Sequence, residues 1–122
     1  MEKMSHMPSE QIITDMEKFL NIASDKTRLK IMFSLLDESK CCCGCGSCGS
    51  CSHLECMIEK SVNDIVKDVN CSQSLVSHQL KVLKDAGYVS SKREGNKIFY
   101  SLKDGHIRLL LSVTYEHVLE EE

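Results

Sequence analysis

The sequence predicts a mostly α-helical domain carrying one small β-hairpin, and three patterns support that prediction. Apolar residues recur at helical spacing in five separate stretches. Two runs rich in β-formers, 88–93 and 97–102, flank the turn Glu94-Gly95-Asn96. Between the second and third helical stretches lies a block with no periodicity that holds seven of the eight cysteines, all within Cys41–Cys56. A chain of 122 residues makes one domain, 1–122, interrupted by a Cys-rich insertion at about 38–59. A core this small is marginal alone and gains from dimerisation.

The first helix opens at Pro8-Ser9-Glu10, with proline tolerated in the first turn. Ile12, Ile13, Met16, Phe19, Leu20 and Ala23 follow at helical period. Ser24-Asp25 caps a second helix, whose Leu29, Met32, Phe33 and Leu36 form an i, i+3, i+4, i+7 stripe. After the insertion, Ser61-Val62-Asn63-Asp64 reads as a capping start for a third helix with Val62, Ile65, Val66 and Val69 inside. Ser72 caps the fourth after the short break Asn70-Cys71. There Leu75, Val76, Leu80 and Leu83 face inward, and Gln73, Ser74, Ser77, His78 and Lys81 share the other side. Gly87 supplies a left-handed C-terminal cap. Two short helices joined by a tight turn, followed by a hairpin, make a winged helix-turn-helix.

That arrangement names candidate contacts to nucleic acid. Gln73, Ser74, Ser77 and His78 are placed to meet base edges in a major groove, where Gln suits an adenine edge and Ser suits several partners. Lys92, Arg93 and Lys97 cluster at the wing tip, where they would hold phosphates without reading sequence. A solvated polar helix face would show the same residues. The net charge of −3 excludes a polycation that simply coats nucleic acid. Its distribution still permits a basic face, because residues 60–108 carry nine Lys/Arg against five acids. No run of 18 apolar residues and no charged-then-apolar leader occur, so a cytoplasmic location and no membrane partner are expected.

The last helical stretch carries the second constellation. Ile107, Leu109, Leu110, Leu111, Val113, Tyr115, Val118 and Leu119 cover more than one stripe, which implies burial both against the domain and against a partner. His106 and His117 are eleven residues apart, within about 20° of one helix face but about 16 Å apart along it. His117 and Glu120 are i,i+3 neighbours, and Asp104 and His106 stand at the entrance. Two imidazoles and two carboxylates suit zinc, which binds both at about 2.0–2.2 Å. One helix cannot close such a site. An antiparallel pair across a twofold axis would bring Asp104 and His106 of one copy to His117 and Glu120 of the other, twice. The spacing alone equally fits an exposed polar face on a dimer helix.

Cys41, Cys42, Cys43, Cys45, Cys48, Cys51 and Cys56 form a second candidate metal site. In a cytosolic chain such density points to metal or redox chemistry rather than to disulfides, and thiolates favour cadmium, lead, copper(I) or zinc. An iron–sulfur reading starts from C-x2-C-x2-C but lacks the following proline. A metal-scavenging loop without a regulatory role is a further reading. Cys71 stands apart, as a small residue for the core.

With these residues in view, the chain resembles the bacterial ArsR/SmtB family of metal-sensing repressors. The resemblance rests on Ala23-Ser24-Asp25-Lys26-Thr27-Arg28-Leu29-Lys30-Ile31, on Ser72-Gln73-Ser74-Leu75-Val76-Ser77-His78-Gln79-Leu80-Lys81-Val82-Leu83-Lys84 and on Gly95-Asn96-Lys97-Ile98-Phe99-Tyr100-Ser101-Leu102. It implies a winged-helix homodimer joined through its first and last helices. It also implies a zinc-sensing pattern on the last helix, Asp-x-His, ten residues, then His-x-x-Glu, which Asp104, His106, His117 and Glu120 match at all four places. The family's thiolate sensors carry Cys-x-Cys at the start of the third helix, where this chain has Ser61 and Asn63. The family pattern does not account for the insertion, which ends at Cys56.

The expected function is that of a repressor, not an enzyme: a metal-free dimer on an inverted-repeat operator, released by zinc. One alternative makes the Cys41–Cys56 loop a thiolate sensor of cadmium, lead or copper(I). Another is a metal-buffering or thiol-redox protein, for which Cys45-x-x-Cys48 lacks the usual βαβ setting.

Overall fold

The structure, a computed structural model, describes residues 7–36 and 58–120. The Cys41–Cys56 candidate site and most of the insertion lie outside the described residues. Five helices and three strands follow in the order α1 (Glu10–Ala23), α2 (Lys26–Ser34), β1 (Lys60–Ser61), α3 (Val62–Val69), α4 (Gln73–Asp85), β2 (Val89–Glu94), β3 (Lys97–Leu102) and α5 (Gly105–Glu120). The expected mostly helical winged helix-turn-helix is what is found.

Local chemistry sets most of the boundaries. Ser9 caps α1, its hydroxyl accepting from the Ile12 N–H, so Pro8 precedes the cap instead of occupying the first turn. Asp25 caps α2 through the Arg28 N–H at 3.1 Å. Ser61 and Asp64 form a reciprocal capping box at the start of α3. Asn70, at φ +56°, ends α3 in the left-handed region, and Ser72 caps α4 through the Leu75 N–H. The C-terminus of α4 closes as a Schellman motif. Gly87 at φ +88° donates to the Lys84 carbonyl, and Tyr88 donates to that of Leu83.

The wing is a two-residue hairpin with Glu94 opposite Lys97. Gly95 takes φ +61° while Asn96 does not enter the left-handed region, the arrangement of a type II′ turn. The sequence predicted a hairpin, but the sheet has three strands in the order β1-β3-β2, because Lys60 and Ser61 pair antiparallel with Tyr100 and Phe99. Among the described residues the chain resumes at Ile58, which is buried, and adds Lys60–Ser61 to the sheet as an edge strand.

The core gathers Ile31, Met32 and Leu35 of the α2 segment, Ile65 and Val69 of α3, and Val76, Leu80 and Leu83 of α4. Tyr88, Val89, Leu102, Ile107 and Leu111 complete it. Leu75, expected inside, is exposed on α4, since its neighbour Val76 holds the inward position. A polar clasp sits at the edge of this core. The Lys60 side chain is only 4% exposed, and its Nζ donates to Asp68 Oδ2 and to the Ser34 carbonyl, both at 2.6 Å. Ser34 Oγ donates to the same Asp68 oxygen at 2.7 Å. The end of α2, strand β1 and α3 are thereby tied at one point.

Candidate functional site

Two surfaces carry the residues singled out by the sequence. On α4, Gln73, Ser74, Ser77 and His78 are all exposed on the side away from Val76, Leu80 and Leu83. Gln73 and Ser77, and likewise Ser74 and His78, are one turn apart, so the four make a compact polar face with Lys81 a further turn along. Gln79 is not part of it, because its Oε1 accepts from Arg28 Nε at 2.7 Å. At the wing, Lys92, Arg93 and Lys97 are exposed as expected. Lys92 Nζ lies 3.1 Å from Glu94 Oε1, and the hydrogen bond to that carboxylate raises the lysine pKa from its ordinary value. Arg93 Nε reaches the Gly95 carbonyl at 3.5 Å.

Between helix and wing lies a shallow cleft lined by Ser61, Val62, Asn63, Gln73, Asn96, Lys97 and Ile98. It runs from Gln73 of the one predicted cluster to Lys97 of the other over a mixed polar and apolar floor. Asn63 and Asn96 belong to it and were missed in the sequence, where they read only as a helix-start residue and a turn residue. The basic balance of residues 60–108 needs correction. Lys60 and Arg108 are buried at 3% each, so seven of the nine cations face solvent.

The second surface is α5. Asp104 acts as its cap, with Oδ1 accepting from the His106 and Ile107 N–H groups at 3.0 and 3.1 Å. That leaves Oδ2 for another partner. His106 Nδ1 stands 3.8 Å from Asp104 Oδ1, and the imidazole is 87% exposed. His117 and Glu120 are exposed one turn apart at the other end. The predicted quartet is therefore brought together as two pairs, not as four. Among the described residues no three His, Cys, Asp or Glu side chains of the single chain converge on one point. Each pair can offer one imidazole and one carboxylate, half of a tetrahedral zinc shell.

Apolar surface accompanies the pairs. Leu109, Leu110, Val113, Tyr115, Val118 and Leu119 of α5 are exposed, and so are Ile12, Ile13, Met16 and Leu20 of α1. Helix α1 has no fully buried residue at all. Side chains of this kind on two helices form a surface that association would cover.

Helix pair, wing and capped turns define the class: a winged helix-turn-helix protein. Residues 53–91 match the family of bacterial regulatory proteins called arsR, and this segment is an ArsR-family helix-turn-helix domain. The chain is 27% identical over 107 residues to a transcriptional repressor SmtB homolog of Synechocystis sp., covering 88% of this chain and 66% of that protein. It is 28% identical over 106 residues to a cadmium resistance transcriptional regulatory protein, a CadC homolog of Staphylococcus aureus, covering 87% and 72%. Among solved structures it resembles the crystal structure of Rv0081 from M. tuberculosis, with a TM-score of 0.69, 25% identity and coverage of 92% and 93%. These two relatives are transcriptional regulators, not enzymes, and this chain spans about two thirds of their length.

Proposed function

We propose that the protein is a metal-responsive transcriptional repressor in the cytoplasm, binding an inverted-repeat operator as a metal-free homodimer. Zinc releases it by occupying two sites, each built from Asp104 and His106 of one subunit with His117 and Glu120 of the other. The observation that carries this reading is the division of the quartet into two exposed pairs at opposite ends of α5. Neither pair is complete alone, and the open apolar faces of α1 and α5 supply the surface on which a second copy would complete both. Relatives that are an SmtB repressor homolog and a cadmium resistance regulator point the same way.

The mechanism is linkage. In the metal-free dimer, Gln73, Ser74, Ser77 and His78 face base edges, with Lys92, Arg93 and Lys97 on phosphates. A zinc ion held by Asp104 and His106 of one subunit and His117 and Glu120 of the other would cross-link the two α5 helices. The geometry so favoured would take the recognition helices out of step with successive major grooves, and DNA would weaken zinc binding by the same factor.

A second reading is favoured by the CadC homolog and by seven cysteines between Leu36 and Ile58. In it the Cys41–Cys56 stretch senses cadmium, lead or copper(I). One experiment separates the two: fluorescence anisotropy on a DNA duplex selected with the metal-free protein, titrated with zinc, cadmium and copper(I). His117→Ala abolishes metal-induced release on the first reading and spares it on the second. Deleting residues 41–56 does the reverse.

A further inference from the structure

We propose that Tyr88, together with Arg28 and Gln79, is the relay that carries the geometry of the subunit-facing helices to the recognition helix α4. The proposal rests on the reading above and assigns residues to a step that reading leaves open: how a change at α1 and α5 turns α4.

Tyr88 touches three elements at once. Its N–H completes the C-terminal cap of α4 on the Leu83 carbonyl. Its carbonyl accepts from the Lys103 N–H at 2.9 Å, one residue before Asp104 and the start of α5. The ring stacks on Phe19 of α1 at a centroid distance of 4.1 Å and 15°, and its hydroxyl donates to the Phe19 carbonyl at 2.7 Å. One residue thus joins the end of the recognition helix and the root of the candidate metal helix, through its backbone, to α1, through its fully buried side chain.

Arg28 makes the second link. Its guanidinium donates to the Ile22 carbonyl in the last turn of α1 at 3.1 Å and to Gln79 Oε1 in the middle of α4 at 2.7 Å. The guanidinium is a rigid fork, so two acceptors held at once fix their relative position. Helix α1 is therefore pinned to α4 at mid-helix and again just past its C-cap. Two points fix both position and pitch, whereas apolar packing is non-directional and lets helices slide. Next to the stripe of α1 that carries Phe19 and Ile22, the exposed Ile12, Ile13, Met16 and Leu20 form the surface left open to a second copy. A shift imposed there reaches α4 through these hydrogen bonds.

The test uses Tyr88→Phe, which keeps the stacked ring and removes the hydroxyl, and Gln79→Met, which removes the acceptor at similar volume. Gln79→Glu, which keeps an acceptor for Arg28, is the rescue. Three quantities are measured for the full chain: DNA affinity without metal, DNA affinity with zinc chloride, and zinc affinity without DNA. The expected result is unchanged zinc affinity and a zinc-induced loss of DNA affinity that shrinks by about 2- to 30-fold in Tyr88→Phe and Gln79→Met. Gln79→Glu retains the wild-type ratio. By reciprocity the effect of DNA on zinc affinity shrinks by the same factor, and it is the unchanged zinc affinity together with the Gln79→Glu rescue that separates a relay from a residue that merely holds the fold. The relay is wrong if both variants and their double mutant keep the wild-type ratio. It is also wrong if they weaken metal-free DNA binding while the ratio stays put. A wild-type protein whose DNA affinity ignores zinc overturns the repressor reading itself, and the relay with it.

Discussion

Replacing Asp68 by alanine tests the energetic account of the clasp at the base of the insertion. The Lys60 side chain is 4% exposed and that of Asp68 is 36% exposed, with Nζ 2.6 Å from Oδ2. Removing one partner of a well-buried pair costs about 3–5 kcal/mol, because the remaining charge stays desolvated. Asp68 is more than a third open, so solvent screens part of that interaction, and the expected loss is about 2–3 kcal/mol. Lys60 keeps the Ser34 carbonyl at 2.6 Å, which sets the lower end. In urea the midpoint should fall by about 1 M, given a slope near 2 kcal/mol/M. The decisive comparison is Lys60→Met with Asp68→Leu, which replaces the pair by apolar groups and should restore stability to within about 1 kcal/mol of wild type. A single Asp68→Ala variant as stable as wild type, or a double variant no better than the single, would refute the reasoning.

Other outcomes follow from the geometry. Gly87→Ala should cost about 1–2 kcal/mol through backbone strain alone, since φ is +88° and nothing lies within 4 Å of an added Cβ; thermal melting reads it. Exchanging both Arg93 and Lys97 for alanine should weaken DNA binding at every sequence alike and reduce the slope of log K against log salt by about 2. Burial raises the Tyr88 pKa above its ordinary value. The neutral phenol is thus favoured in the folded state, so this contribution to stability is full below the ordinary tyrosine range and is lost as pH rises through the raised value. In an ultraviolet alkaline titration Tyr88→Phe should remove the latest-ionising tyrosine component. Protons compete with zinc for imidazole nitrogen, so zinc-induced release should weaken between neutral pH and about pH 5. An unchanged response there would argue against His106 and His117 as ligands.

Much of the fold could be read from the sequence because its punctuation is local. Ser61, Ser72, Asn70 and Gly87 each satisfy or end a helix within three or four residues of themselves, and the hairpin follows from Gly95. What escaped is non-local. Strand β1 is two residues long, and its only signal is a pairing with Phe99 and Tyr100 almost forty residues away. Lys60 and Arg108 read as surface cations, since a buried charge is tolerated only with partners that lie elsewhere in the chain. Leu75 and Val76 are adjacent apolar residues, and only packing decides which turns inward. For the candidate site, helical spacing separated Asp104 and His106 from His117 and Glu120, and the described chain keeps them apart. The cleft between Gln73 and Lys97 needed the folded chain, because it joins residues from α3, α4 and the wing.

The two ends that frame residues 37–57 are tied to each other and to the domain by contacts among the described residues. Ser34 is fixed from below by a lysine ammonium, and Lys60 is fixed sideways by a neighbouring strand. Such a frame behaves as a socket. Closing a longer chain across fixed ends costs only about 0.6 kcal/mol for each doubling of length. A change in the length of the segment between these ends therefore costs little in closure entropy, while the hydrogen bonds of Lys60 to Ser34 and Asp68 are made by residues outside it.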